Sequence, residues 1–269
     1  MRLTLFAVLA SSAALAQQPP AAQPAPAAPA PAAPAAAAPA PAAAAPAAAQ
    51  GWTQKFDDLW ARRDAPGAEK SLHQLLKAQL ATDPGDFEAN WRLASLLNWQ
   101  ANATQGDLKA SLGKGAQEAG DKAILARPDD VRGHYHSGVG VGLYSEGVGI
   151  LTALSQGLEG KFRDRLQAAL RIDKDYLDGQ PQVVWGRYFF KLPWPKRDVD
   201  ESVKVLTAAV ASHPNNWRAK IYLADSLADQ GKGDEARKLV QAVVDAKAGD
   251  DAPEEKRLKD YAAKWLSNH

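Results

Sequence analysis

The sequence predicts an all-α protein whose helical hairpins stack into a superhelix, preceded by a secretory leader and a disordered Ala/Pro linker. Three observations carry that expectation. Apolar residues recur at three- and four-residue steps almost throughout positions 51–269, the period of an amphipathic helix. A turn followed ten positions later by a small residue recurs along the same stretch. One run only, Val183-Val184-Trp185-Gly186-Arg187-Tyr188-Phe189-Phe190, is rich in β-formers, and with no second run to pair with it reads as helix.

Residues 1–16 carry Arg2, an apolar run from Leu3 to Leu9 continuing through Ala14, and the small triplet Ala14-Leu15-Ala16. This is the pattern of a signal peptide cleaved after Ala16. It predicts a periplasmic or secreted protein, and the run is shorter than the ~18 apolar residues that a membrane span requires. Residues 17–50 are 20 Ala, 10 Pro and 4 Gln, from which no core can be built. Proline at this density favours polyproline II, so the segment reads either as a semi-rigid tether or as an unselected low-complexity leader.

Residues 51–269 form the third region, a repeat domain. Trp52, Phe56, Leu59 and Trp60 open it with helical spacing; Leu72, Leu75, Leu76 and Leu80 continue it. Asp83-Pro84 leads to Leu93-Ala94, Arg127-Pro128 to Ser137-Gly138, and His213-Pro214 to Leu223-Ala224, with a degenerate copy from Asp173-Lys174 to Trp185-Gly186. Proline ends one helix and sets the turn, and the small residue lets the next two helices approach closely. Leu258, Tyr261, Ala262, Trp265 and Leu266 then mark an amphipathic C-terminal helix, with Pro253 and Glu254 suited to its first turn.

The last copy, with Leu223-Ala224, Leu227, the Gly231/Asp234 turn and Ala236 behind Pro214, resembles the tetratricopeptide repeat, and the stretch from Pro84 to Leu97 matches it in part. The spacings of 44, 46 and 40 residues between copies exceed the usual repeat, which implies longer helices or turns. Residues 134–244 carry Gly142-Leu143-Tyr144, Ala168-Ala169-Leu170-Arg171-Ile172-Asp173, Gly179-Gln180-Pro181, Trp185-Gly186-Arg187-Tyr188-Phe189, Leu192-Pro193 and Asp200-Glu201-Ser202. These resemble the T-component proteins associated with TRAP transporters. That resemblance implies a periplasmic helical scaffold that docks a solute-binding protein and catalyses nothing.

Beyond Arg2 the chain holds 31 basic and 31 acidic side chains. The balance argues against nucleic acid and against a polybasic membrane anchor as partners. Cysteine is absent, which removes disulfides, thiolate metal sites and cysteine nucleophiles. His134 and His136 lie two apart, a poor spacing for chelation on a helix, and no serine elbow, nucleophile with a base, or acid/base pair emerges. No enzyme activity, cofactor or metal is therefore expected. Paired acids such as Asp57-Asp58 and Asp250-Asp251 read as solvated.

Two features remain. Positions 106–160 hold 12 of the 20 glycines, which points either to closely packed helices or to a mobile wall facing a ligand. Within them, Ile150, Leu151, Leu154 and Leu158 share one helical face of an apolar run, as a buried central helix would. The first helix of each hairpin should line the concave surface, placing Glu88, Trp91, Ser95, Asn98, Arg132, Tyr135, Val183, Arg187, Arg218, Ile221 and Asp225 there. The binding candidates among these are Trp91, Asn98, Arg132, Tyr135, Arg187, Arg218 and Asp225. Three arginines on one surface suit an acidic peptide segment or a small organic carboxylate, or else they pair with acids of the chain itself.

Overall fold

A computed structural model describes residues 47–247 and 249–269, with side chains from Gly51 onward. The expected leader at 1–16 and the Ala/Pro segment up to residue 46 lie outside the described residues. The described chain is helical throughout, with no strand among the described residues. A first pair, α1 (Ala47–Trp60) and α2 (Ala68–Thr82), is followed by α3 (Phe87–Asn102) and α4 (Gly106–Ala126). Next come α5 (Val131–Val148), a short α6 (Ile150–Ser155) and α7 (Leu158–Ile172). Then α8 (Tyr176–Lys191) pairs with α9 (Val199–Ser212), α10 (Trp217–Asp229) with α11 (Gly233–Val244), and α12 (Ala252–Asn268) closes the chain. Helix α1 starts at Ala47, four residues before the expected domain start at 51.

The recurrent turn is one local structure used repeatedly. Asp83, Arg127 and His213 each donate their backbone N–H to the carbonyl four residues back, at 2.9, 2.9 and 2.8 Å. Three residues on, Asp86, Asp130 and Asn216 cap the next helix: their side chains accept from the N–H of Ala89, Arg132 and Ala219. These caps satisfy donors that a helix start leaves free. In the copy lacking proline, Asp175 makes no such cap, and Leu177, Asp178 and Gly179 take left-handed φ of 49, 58 and 79°. His213 holds that distorted turn between Asp175 and Asp178, at 3.0 and 3.1 Å.

The glycine-rich stretch packs two helices backbone to backbone. A Cβ on Gly113 would lie 2.4 Å from the Tyr144 nitrogen, on Gly120 2.7 Å from that of Ser137, on Gly140 2.5 Å from that of Gln117, and on Gly147 2.4 Å from that of Ala110. Glycines seven residues apart on each helix thus alternate along the antiparallel α4–α5 seam, two turns per step. Of the two readings, the seam answers to close packing. The small residues of the hairpins serve the same end, since a Cβ on Gly138 would meet Leu166 and one on Gly186 would meet Leu206.

The run from Leu143 to Phe162 is not one buried helix. It breaks at Gly149 and Gly157, whose φ of 89 and 71° favour glycine, so α6 turns away and Leu151 faces outward, 74% exposed. The principal core gathers α8 to α12 around Val183, Leu206, Ile221, Leu227, Val240 and Trp265. Another joins α1, α2 and α3 through Trp52, Phe56, Leu72, Leu76 and Leu96. Among the described residues no helix is long and apolar enough to cross a membrane.

Candidate functional site

The inner helices α3, α5, α8 and α10 enclose a groove of about 1430 Å³. Of the residues singled out by sequence, Ser95, Asn98, Tyr135, Arg187, Arg218 and Ile221 line it. Trp91, Arg132, Asp225, Glu88 and Val183 do not. Arg132 is turned aside onto Asp130 at 2.7 Å and Glu88 at 3.3 Å. Trp91 donates its indole N–H to Glu88 at 2.8 Å and stacks on His136. Asp225 lies behind the wall and accepts from both Arg187 and the Trp265 indole, at 2.7 and 2.8 Å.

The arginines are paired within the chain. Arg187 meets Asp225, and Arg218 meets Glu254 of α12 while donating to the Tyr222 hydroxyl at 3.0 Å. Burial works to raise the Glu254 pKa, but Arg218, Arg257 and Arg63 together hold it below the ordinary carboxylate value.

Helix α12 is the element whose position the sequence does not disclose. Its second half packs into the principal core through Leu258, Ala262, Trp265 and Leu266. Its first turns cross the groove to the opposite end of the chain. There Asp251 accepts two hydrogen bonds from Arg63 at 2.7 and 2.8 Å, so this acid is a tie and not merely solvated. Arg257 lies over the Trp99 ring, 3.2 Å from its centroid, and donates to the Trp99 carbonyl at 3.0 Å. Arg63, only 3% exposed, is not among the sequence candidates because it sits between α1 and α2, outside the repeat register. The adjacent tryptophan and the acids at 250–255 are the signal that points to it.

Two polar groups in the groove wall have no partner: the Asn98 side-chain oxygen and the Arg63 Nε. Asn98 itself is fixed, donating to the His136 carbonyl at 2.9 Å. Burial, then the charge of Arg132, pulls His136 down to about 3. Burial also pushes the Tyr135 phenol above its ordinary value, so both rings are neutral at physiological pH. His134 turns away from His136 and donates to the Pro128 carbonyl at 2.7 Å. Among the described residues no group of three or more His, Asp or Glu is placed to hold a metal ion.

Residues 52–268 match the model of a family described as Regulator of microtubule dynamics protein 1-3, a different family from the T-component proteins. Among curated proteins none matches. A crystal structure of a thermophilic tetratricopeptide-repeat protein of Thermus thermophilus is similar with a TM-score of 0.59 and 20% identity, over 81% of this chain and 98% of that one. The likeness shows the fold, a tetratricopeptide-like superhelix. A crystal structure of the MamA protein is also similar, with a TM-score of 0.41 and 15% identity over 80% of this chain and 96% of that one.

Proposed function

The chain belongs to the Regulator of microtubule dynamics protein 1-3 family, and on that footing we propose that it is a non-catalytic scaffold whose concave groove holds a segment of a protein partner outside the cytoplasm. The observation that carries the reading is the groove itself. At about 1430 Å³ it exceeds the roughly 300–1,000 Å³ usual for small-molecule pockets, and its walls mix aromatic rings with fixed donors and acceptors. The leader at 1–16 supports the location, away from any cytoskeletal polymer, so the proposal does not extend to the role that the family description names. The solute-binding protein of a TRAP-type transporter, implied by the T-component resemblance, has no support in the matching family and is not carried further.

A second reading, a small organic carboxylate in the groove, is favoured by the neutral Tyr135 phenol in the groove wall, whose hydroxyl donates. Affinity capture with the full chain separates the two. Ser145 lines the groove, and Ser145→Trp projects a bulky ring into it without breaking an ion pair. A stoichiometric protein retained by the wild type and lost with Ser145→Trp supports docking. A co-purifying metabolite without protein supports the second reading, and capture indifferent to Ser145→Trp overturns both.

A further inference from the structure

Two of the groove's arginines, Arg63 and Arg218, are already engaged by an acidic segment, and that segment belongs to the chain. Asp250, Asp251, Glu254 and Glu255 all border the groove. Asp251 caps α12, accepting from the Glu254 N–H, so the Asp251 and Glu254 carboxylates sit three residues apart on the first turn.

The two receptor arginines are held by the body and not by α12. Arg63 is sandwiched between Trp60 and Trp99, with ring centroids at 4.4 and 4.2 Å, and its Nη1 donates to the Trp60 carbonyl at 3.1 Å. Only its Nη2 reaches Asp251. Arg218 likewise fixes Nη1 on the Tyr222 hydroxyl and offers Nη2 to Glu254. Each guanidinium therefore has one arm anchored and one arm free to take a carboxylate, the arrangement of a preorganised receptor.

The occupant is less firmly seated than its receptor. From Leu258 onward α12 is built into the core. Before it, Pro253 is the one buried residue, and the ties are polar: Asp251 to Arg63, Glu254 to Arg218, Arg257 to Trp99, and a peripheral Lys256–Asp64 contact of 4.0 Å. The first turns can lift without opening the core.

Resting on the reading that the groove docks a protein segment, we propose that the first turn of α12 is an internal stand-in for the partner. The partner presents the same chemistry, two carboxylates spaced Asp-x-x-Glu at a helix start, and takes the places of Asp251 and Glu254 on Arg63 and Arg218.

The test uses a fluorescent peptide of residues 249–260, titrated into the full-length chain by anisotropy. Asp251→Asn with Glu254→Gln weakens the internal segment, so the peptide should bind that variant about tenfold more tightly than wild type, because a larger fraction of the groove is open. Adding Arg63→Gln and Arg218→Gln should abolish binding, as should Asn and Gln at the two acidic positions of the peptide. A lock checks the same point independently of that variant: Asp64→Cys with Lys256→Cys, in a chain with no other cysteine, should lose peptide binding once joined by a short bismaleimide. Equal affinity for wild type and the Asp251/Glu254 variant, binding that survives loss of both arginines, or binding unaffected by the lock would overturn the proposal. Should the peptide fail while partner capture still depends on Ser145→Trp, only the stand-in is lost and the docking groove remains.

Discussion

Arg63 and Asp251, 188 positions apart in sequence, meet through a two-pronged hydrogen-bonded ion pair that ties the C-terminal helix to the loop after the first. The core contacts of α12 begin only at Leu258, so Arg63→Met should free the first turns alone. In hydrogen exchange, amides of residues 252–257 should lose protection while those of 260–266 keep it. Uniform loss along α12 would show that the pair supports the whole helix.

The α4–α5 seam leaves no room for a methyl group. Gly140→Ala should destabilise the fold by about 1–3 kcal/mol, the usual cost of overpacking. Gly160→Ala in α7, where a Cβ meets nothing within 4 Å, should instead stabilise by about 0.5–1 kcal/mol through helix propensity. Urea midpoints of the two variants should move in opposite directions.

His136 is buried as a neutral ring with its pKa depressed from 6.5 to about 3. A depressed pKa contributes stability above the unfolded value, so the contribution is complete above pH 6.5 and is lost as pH falls toward 3. The slope is about 1.4 kcal/mol per pH unit. His136→Phe keeps the ring contacts with Trp91, Tyr135 and Tyr176, and should flatten the stability profile between about pH 6.5 and 5. An unchanged slope would assign the dependence to other groups.

Glu254 titrates with the same sign at lower pH. Its contribution stands above the ordinary value of 4.5 and fades as pH falls through its depressed folded value. Exchange protection of residues 252–257 should therefore drop on acidification below about pH 4.5, and Glu254→Gln should show that lowered protection already at neutral pH.

Arg132 separates the packing role of an arginine from the binding role. It lies outside the groove on Asp130 and Glu88, so Arg132→Ala should cost about 1 kcal/mol in a partly solvated pair and leave partner capture intact. Loss of capture at unchanged stability would place Arg132 in the binding surface.

The hairpins are legible in the sequence because their signals are local. Proline ends a helix, Asp or Asn caps the next, and a small residue ten positions after the proline marks the crossing. Asn98, Tyr135, Arg187 and Arg218 line the groove where the inner-helix register places them. Arg132 and Asp225 share that register but turn to nearby charged partners, which is a rotamer choice that spacing does not encode. The return of α12 depends on a contact across almost the whole domain, and an amphipathic helix shows that it has an apolar face without showing what the polar face will meet. The break at Gly149 is hidden because Ile150, Leu151, Leu154 and Leu158 keep a helical period even though the chain direction changes beneath them.

An open array of helical hairpins is a spring whose pitch drifts as small angles between neighbours add up. Fastening α12 to both ends makes this one a clasp. A change of angle at any one hairpin must then be absorbed by the others or released at the Arg63–Asp251 catch, so strain introduced anywhere along the curve is felt where the two ends are joined.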